Sequence, residues 1–519
     1  MAYFLASKQG DRRVLIGRIV TMDGAGTVHE RGALCITGDT IAAIAPDAAS
    51  IPASFADVVP IDTQGSLYPG LIELHNHLSY NFLPLWTVPN RYTNRNQWRT
   101  QEPDYDIAIA LPAKVLGSNV DINYARSIAR FVECRSLLGG TTTTQGLSAS
   151  GNGGKQWYRG LTRNVEAPLN PAFPAAGGQT LDYKPSEIVE KLVPALQKDR
   201  PFFYHLSEGT DKDARQRFLD LQYEPDTWAI DKDLIAIHCT GLKPEHFHQL
   251  KAAAGMVWSP LSNLLLYGET ADVAAAKATG VPIALGSDWS PSGSKNLLGE
   301  LKIARIVSQH LGGLFSDQEL VRMVTSSPAQ MLGWHPYVGS LEVGKQADFV
   351  IIEGTPPAPY TQLVNAREDQ VLAVVIGGRP RHGRMGLLDF DVSKQERFVI
   401  GGKDYVLDLT EAGDDPLAGL SLSAAIAMLT DGLARLPELA AKAPEPATMA
   451  FGLLERQALS IDLEFEEDQD FRQRQESIRE AAPKLRPLPM APITAVDDPD
   501  FHKLLKSNIN LPGYVKAAL

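Results

Sequence analysis

Pro69-Gly70-Leu71-Ile72-Glu73-Leu74-His75-Asn76-His77 is an apolar, strand-length run that opens on a Pro-Gly turn and ends in His-x-His. Side chains two residues apart in a strand point to the same side, so His75 and His77 project together from its C-terminal end. Two imidazoles on one face make half of a divalent metal site. His-x-His alone is a weak signal, because incidental pairs are common. The buried strand in front of it gives it weight.

Three further strand ends repeat the pattern. Phe202-Phe203-Tyr204-His205-Leu206-Ser207-Glu208 carries a third candidate ligand, His205. Glu208 follows three residues later, where it could reach a metal-bound water without ligating the metal. Leu234-Ile235-Ala236-Ile237-His238 and Ile283-Ala284-Leu285-Gly286-Ser287-Asp288 each end an apolar run in a residue able to ligate or hydrogen-bond. Taken singly, His238 reads as a satisfied strand-end histidine, and Asp288 reads equally as a helix cap or as a functional group. Four strand ends in chain order, each closing on His or Asp, make coincidence a poor account.

Around these runs, residues 67–335 alternate strand-length apolar segments with amphipathic stretches. The strand-like runs are Tyr68–Leu74, Thr141–Thr144, Phe202–Leu206, Leu234–Ile237, Met256–Trp258 and Pro282–Leu285. Helical spacing is predicted for Ser186–Gln197, with a kink at Pro194, for Leu297–Leu311, and for Asp317–Leu332 capped by Ser316. Such alternation implies an α/β fold with a parallel sheet, and both a (β/α) barrel and an open doubly wound sheet satisfy it. Residues 1–66 read as short β segments separated by Gly and Asp turns. Residues 336–409 return to β character and are expected to pair with the N-terminal strands. Residues 410–519 hold an amphipathic stretch, Ser421–Leu439, a proline-broken remainder and the charged run Asp462–Arg479. They read as a helical appendage or packing arm, which leaves a homodimer open.

Bulk properties narrow the function. The 519-residue chain carries a net charge of −12, which argues against a basic nucleic-acid face and gives no attraction to anionic membranes. Three scattered cysteines, Cys35, Cys134 and Cys239, make neither a disulfide framework nor a C-x-x-C zinc site, so a reducing, cytoplasmic setting is expected. No signal peptide and no membrane-length apolar run are read. The expected partner is a small-molecule substrate.

The series resembles the amidohydrolase superfamily, specifically its single-metal deaminase and chlorohydrolase-like branch, which includes cytosine deaminase, guanine deaminase and the triazine hydrolases. The resemblance rests on Pro69–His77, His205-Leu206-Ser207-Glu208, His238, Ser259-Pro260-Leu261-Ser262-Asn263, Gly286-Ser287-Asp288, Thr325–Gly333 and Gly339–Asp348. It implies a distorted (β/α)8 TIM barrel over 67–335, with a β-sandwich domain built from 1–66 and 336–409 and the helical extension 410–519 outside it. It also implies one divalent metal on His75, His77, His205 and Asp288, with zinc favoured over iron or manganese. His238 would hydrogen-bond the water or the substrate. The interval of about 60 residues between Thr144 and His205 is tight for the strands such a barrel places there.

The resulting expectation is hydrolysis of a non-peptide C–N bond, foremost deamination of a heterocycle. A divalent metal brings the pKa of a bound water from about 15.7 to about 7. Asp288 and Glu208 would take up its proton, and Glu208 would pass one to a ring nitrogen or to the leaving group. His238 would stabilise the tetrahedral oxygen. Ring-opening of a cyclic amide is the alternative chemistry, and a non-catalytic scaffold on the same fold is the alternative of another class. In the loop after the first strand, Tyr80, Trp86 and Trp98 could stack on a flat ring, and Arg91 or Arg95 could pair with a carboxylate. Trp289 and Lys295 follow Asp288 near the same rim. Asn263 either joins the water network or finishes a turn.

Overall fold

The computed structural model describes residues 11–117, 122–151, 154–158, 160–388, 395–410, 417, 419–442, 460–465 and 471–519. Strands from both ends of the chain merge in one nine-stranded sheet. Arg12–Val20, Val28–Thr37, Thr40–Ala45 and Ile61–Pro69 join Phe349–Glu353, Val371–Ile376, Arg379–Arg384, Gln395–Ile400 and Lys403–Asp408. The junction is the antiparallel pair Ile61–Pro69 with Phe349–Glu353, in which Phe349 faces Pro69 and Ile351 faces Leu67. Leu15, Ile19, Leu34, Ile36, Leu67, Phe349 and Ile351 share one apolar cluster, so burial of this face ties the two chain ends together.

The Tyr68–Leu74 run does not form a single strand. It leaves the large sheet at Pro69 and resumes as Leu71–Glu73 in a different, parallel sheet. Gly70 makes the crossing possible, because a Cβ there would lie 2.2 Å from Thr142 Oγ1.

Eight short parallel strands carry the middle of the chain. Leu71–Glu73, Thr141–Thr144 and Arg163–Asn164 form one sheet. Gly177–Gln179, Phe202–Leu206, Leu234–His238, Gly255–Trp258 and Ile283–Leu285 form another. The tight interval before His205 is therefore met by strands of two and three residues. Single backbone bonds lace the two sheets rather than a continuous ladder. Ala176 N–H donates to Val165 O at 2.8 Å on one seam. On the other, Asp288 N–H donates to His75 O and His77 N–H to Asp288 O, both at 2.9 Å.

Two expected helices are interrupted, each with a reason. Asp317–Leu332 splits into Asp317–Arg322 and Ser326–Met331. Pro328 has no N–H to return to the carbonyl of Val324. That carbonyl accepts Ile72 N–H at 2.9 Å, and Met323 O accepts Leu285 N–H at 2.9 Å. The break thus serves the two strands that end in His75 and Asp288. Ser316 caps the first piece reciprocally with Glu319, as expected. Ahead of Pro194 the chain widens to a π-turn over Ile188–Leu192. In the tail, Leu422–Ala434 packs on Ile122–Leu138. Short helices follow at Leu436–Ala441, Phe471–Ala481, Phe501–Ser507 and Gly513–Ala518. Among the described residues no helix is long and apolar enough to cross a membrane.

Candidate metal centre

His75, His77, His205, Glu208, His238 and Asp288 converge at the C-terminal ends of the parallel strands, all buried. His77 Nε2 lies 3.2 Å from His205 Nε2 and 3.5 Å from Asp288 Oδ1, and His75 Nε2 lies 3.3 Å from Asp288 Oδ1. Candidate ligand atoms of His75, His77 and His205 fall within 4.8 Å of one another, and so do those of His75, His238 and Asp288.

The backbone at this rim is unusual. Ser207, His238, Cys239 and Asp288 have φ of 51°, 67°, 56° and 61°. Non-glycine residues seldom adopt the left-handed region, and such conformations persist where surrounding structure holds them. Gly286 lets its strand approach the first one, since a Cβ there would lie 2.5 Å from His75 Cβ. Glu73 braces the same junction by accepting Ser287 N–H at 2.9 Å and Ser287 Oγ–H at 2.7 Å.

The electrostatics suit a cation. Burial pushes the imidazoles of His75, His205 and His238 below their ordinary range, leaving neutral rings with lone pairs to give. Burial alone would raise Asp288, but His75, His238 and His77 outweigh it and hold the carboxylate below its usual range. Burial likewise opposes charge on His77, and Glu464 more than offsets it. His75 Nδ1 and Nε2, His205 Nδ1 and Asp288 Oδ1 are buried without a hydrogen-bond partner among the described residues. Buried polar atoms are rarely left so. The unspent donor atoms of His75, His205 and Asp288, with His77 Nε2 facing His205 and Asp288, fit a divalent metal.

Glu208 stands beside this group. Its Oε2 is 3.8 Å from His238 Nε2 and 3.2 Å from Arg95 Nη1, while Oε1 accepts the Tyr267 hydroxyl at 2.8 Å. Burial raises its pKa to about 7, with Arg95 pulling it back and Asp288 adding to the rise. Asn263 Nδ2 meets His238 Nδ1 at 3.1 Å, and Asn263 Oδ1 accepts from Thr270 Oγ1 at 3.3 Å. With its oxygen so engaged, Asn263 donates to Nδ1 and leaves the His238 proton on Nε2, facing the site.

Asn263 and Tyr267 sit one turn apart on Pro260–Tyr267, a helix with Pro at its start and left-handed Gly268 at its end. That i, i+4 spacing was the available signal for Tyr267, which the sequence reading missed. Arg95 reaches the site from the helix Arg95–Thr100, but it pairs with the protein's own Asp182 (2.8 Å) and Glu208 rather than standing free for substrate.

The other expected contacts divide. The Tyr80 ring lies 5.3 Å from Trp289 and 5.6 Å from Phe465, and Trp98 lies 5.6 Å from each of the same two rings. Trp289 itself is 6.3 Å from the ring of His77. Trp86 and Arg91 are not brought to the centre. Trp86 Nε1–H donates to Asp104 at 2.8 Å and its ring stacks on Tyr92. Arg91 is spent on Tyr267 O and Glu269, with its side chain 56% exposed. Lys295 pairs with Asp498 at 2.7 Å.

Residues 176–381, the stretch that carries His205, Glu208, His238 and Asp288, match the Amidohydrolase family. A 5-methylthioadenosine/S-adenosylhomocysteine deaminase of Shouchella clausii is 24% identical over 419 residues, covering 72% of this chain and 94% of that protein. In fold, the chain is similar to a zinc-bound adenosine deaminase from Xanthomonas campestris (TM-score 0.52, 19% identity, 75% of this chain and 96% of that one). It is also similar to Escherichia coli guanine deaminase (TM-score 0.54, 16% identity, 72% and 100%).

Proposed function

We propose that this chain is a metal-dependent hydrolase that deaminates a heterocyclic small molecule, an aminated purine foremost, with one divalent metal on His75, His77, His205 and Asp288. The observation that carries it is the convergence of those four side chains, from widely separated strand ends, beside a carboxyl group raised to about 7. The purine preference comes from the deaminase relatives. Zinc is the proposed ion, from the donor set and the zinc-bound neighbour. The eight parallel strands and their lacing support a distorted (β/α)8 barrel over 67–335. The proposed layout adds a β domain from 1–66 and 336–409, and the extension 410–519.

When bound, the metal supplies Lewis acidity and makes water nucleophilic near neutral pH. The chain does the rest. Glu208, poised near neutrality, takes one proton from the attacking water and gives it to a ring nitrogen; the second, from the hydroxyl of the tetrahedral carbon, passes through a carboxylate to the amine as the C–N bond breaks and ammonia leaves. Arg95 and Tyr267 hold its two oxygens in place, so little reorganisation is needed during transfer. His238, with its proton on Nε2, donates to the oxygen of the tetrahedral carbon. Asp288 serves as ligand and as second proton acceptor. Trp98, Trp289 and Tyr80 offer flat apolar walls, and burial of every polar group excludes bulk water.

The test is incubation of the metal-loaded protein with aminated purines, their nucleosides and thioethers, cytosine, and cyclic ureides. Ammonia release from an aminated ring supports the proposal. A new carboxylate from a ureide, with no ammonia from any aminated ring, would replace it with cyclic-amide hydrolysis. Metal binding with no turnover on any of them would return the chain to a scaffold.

A further inference from the structure

The charged C-terminal run reaches the metal centre. Ser460–Ile461 pairs antiparallel with Ser148–Gly151, Ile461 facing Ala149. Asp462 N–H donates to Ser148 O at 2.8 Å, and Ser148 Oγ–H donates to Asp462 Oδ2 at 2.8 Å. A few residues on, Arg99 Nη1 donates to Phe465 O at 2.8 Å. Between these pins the chain turns inward. Glu464 Oε2 bonds His77 Nδ1, and the Phe465 ring lies 4.3 Å from the His77 ring.

An imidazole ligand has two nitrogens, and the hydrogen bond at one decides what the other offers. Donation to a carboxylate fixes the tautomer, orients the ring and makes the ligating nitrogen more basic. His77 shows this division: Nδ1 faces Glu464, while Nε2 faces His205 Nε2 and Asp288 Oδ1. Among the described residues, Nδ1 of His75 and of His205 has no hydrogen-bond partner. His77 is thus the imidazole of the proposed ligand set that another part of the chain holds by a carboxylate.

We propose that Glu464 is a positioning residue of the metal centre, a carboxylate delivered by the C-terminal segment that accepts the His77 Nδ1 proton and directs the Nε2 lone pair at the cation. The centre is then incomplete without the extension, and Phe465 beside it packs on the His77 ring. The inference rests on the metal-site reading proposed above, and metal affinity separates the two.

The test uses the full chain with Glu464→Ala and Glu464→Gln, each stripped and titrated with zinc against a competing chelator. Loss of a carboxylate behind a ligating histidine weakens metal binding by about 10- to 100-fold, which is expected of Glu464→Ala. Glu464→Gln keeps an acceptor without the charge and should fall between Glu464→Ala and the parent chain. A purely packing role would lower the unfolding temperature of the metal-free protein and leave affinity alone. Parental affinity in both variants overturns the proposal while the metal site stands. If Glu464→Ala does not fold, unchanged affinity in Glu464→Gln suffices to overturn it. A parental chain that binds no zinc overturns the metal site and the Glu464 role with it.

Discussion

The hydroxyl of Tyr267 donates to Glu208 Oε1 at 2.8 Å, from the same helix that brings Asn263 to His238. One short helix therefore orients two of the groups that handle protons in the proposed reaction, Glu208 and His238. Trp98 Nε1–H donates to the Tyr267 oxygen at 2.9 Å, so the hydroxyl proton is directed to Glu208.

Tyr267→Phe removes that bond and leaves the proposed ligands untouched. A hydrogen bond to a charged group contributes about 1.5–3 kcal/mol. Turnover should fall by about 10- to 100-fold with metal content unchanged. Glu208→Gln, which cannot accept a proton, should cost about 100- to 10,000-fold, again with metal retained. Steady-state ammonia release alongside elemental analysis checks both. Parental turnover in Glu208→Gln would remove Glu208 from proton transfer.

Arg163 and Asp348 couple the parallel strands to the large sheet. Arg163 Nη2 donates to Asp348 Oδ1 at 2.9 Å, the two side chains being 9% and 3% exposed, and Asp348 also accepts Gly377 N–H at 2.7 Å. Removing one partner of a buried pair strands the other, at about 3–5 kcal/mol. Arg163→Met should lower stability to chemical denaturation by that order. A change below about 1 kcal/mol, the range of exposed pairs, would show the pair to be solvated.

Glu300 makes stability depend on pH. It is fully buried, accepting Leu261 N–H at 2.9 Å and bonding Ser294 Oγ, and burial raises its carboxyl from 4.5 to about 8. A folded-state pKa above the unfolded one gives a contribution that is complete below the unfolded value. It is lost as pH rises toward the folded value. The stability of metal-free Glu300→Gln relative to the parent should therefore climb between about pH 5 and pH 8, by a few kcal/mol in order of magnitude. Unfolding curves across that range that stay parallel would contradict a buried, neutral Glu300.

The candidate centre was legible because each contributing strand is an apolar run with a polar terminus, and burial on both faces leaves only the strand end free for chemistry. His75, His77, His205, His238 and Asp288 all carry that signature. The breaks were not legible, because they answer to distant partners. Nothing in Tyr68–Leu74 shows that Gly70 must pass beside Thr142. Nothing in Asp317–Leu332 shows that Met323 and Val324 will give their carbonyls to other strands. Arg91 and Arg95 sit four residues apart in the sequence, and only the fold sends one to Glu269 and the other to Glu208. Glu464 was hidden for a different reason: it stands in a run of acidic residues, and nothing in the sequence singles out its position.

In the proposed centre, four separated side chains hold a single cation. Elemental analysis of protein purified without chelators is the decisive test. Close to one equivalent of a divalent transition metal per chain is expected, falling to background in His205→Ala. A parental protein that carries none and takes up none on reconstitution would contradict it.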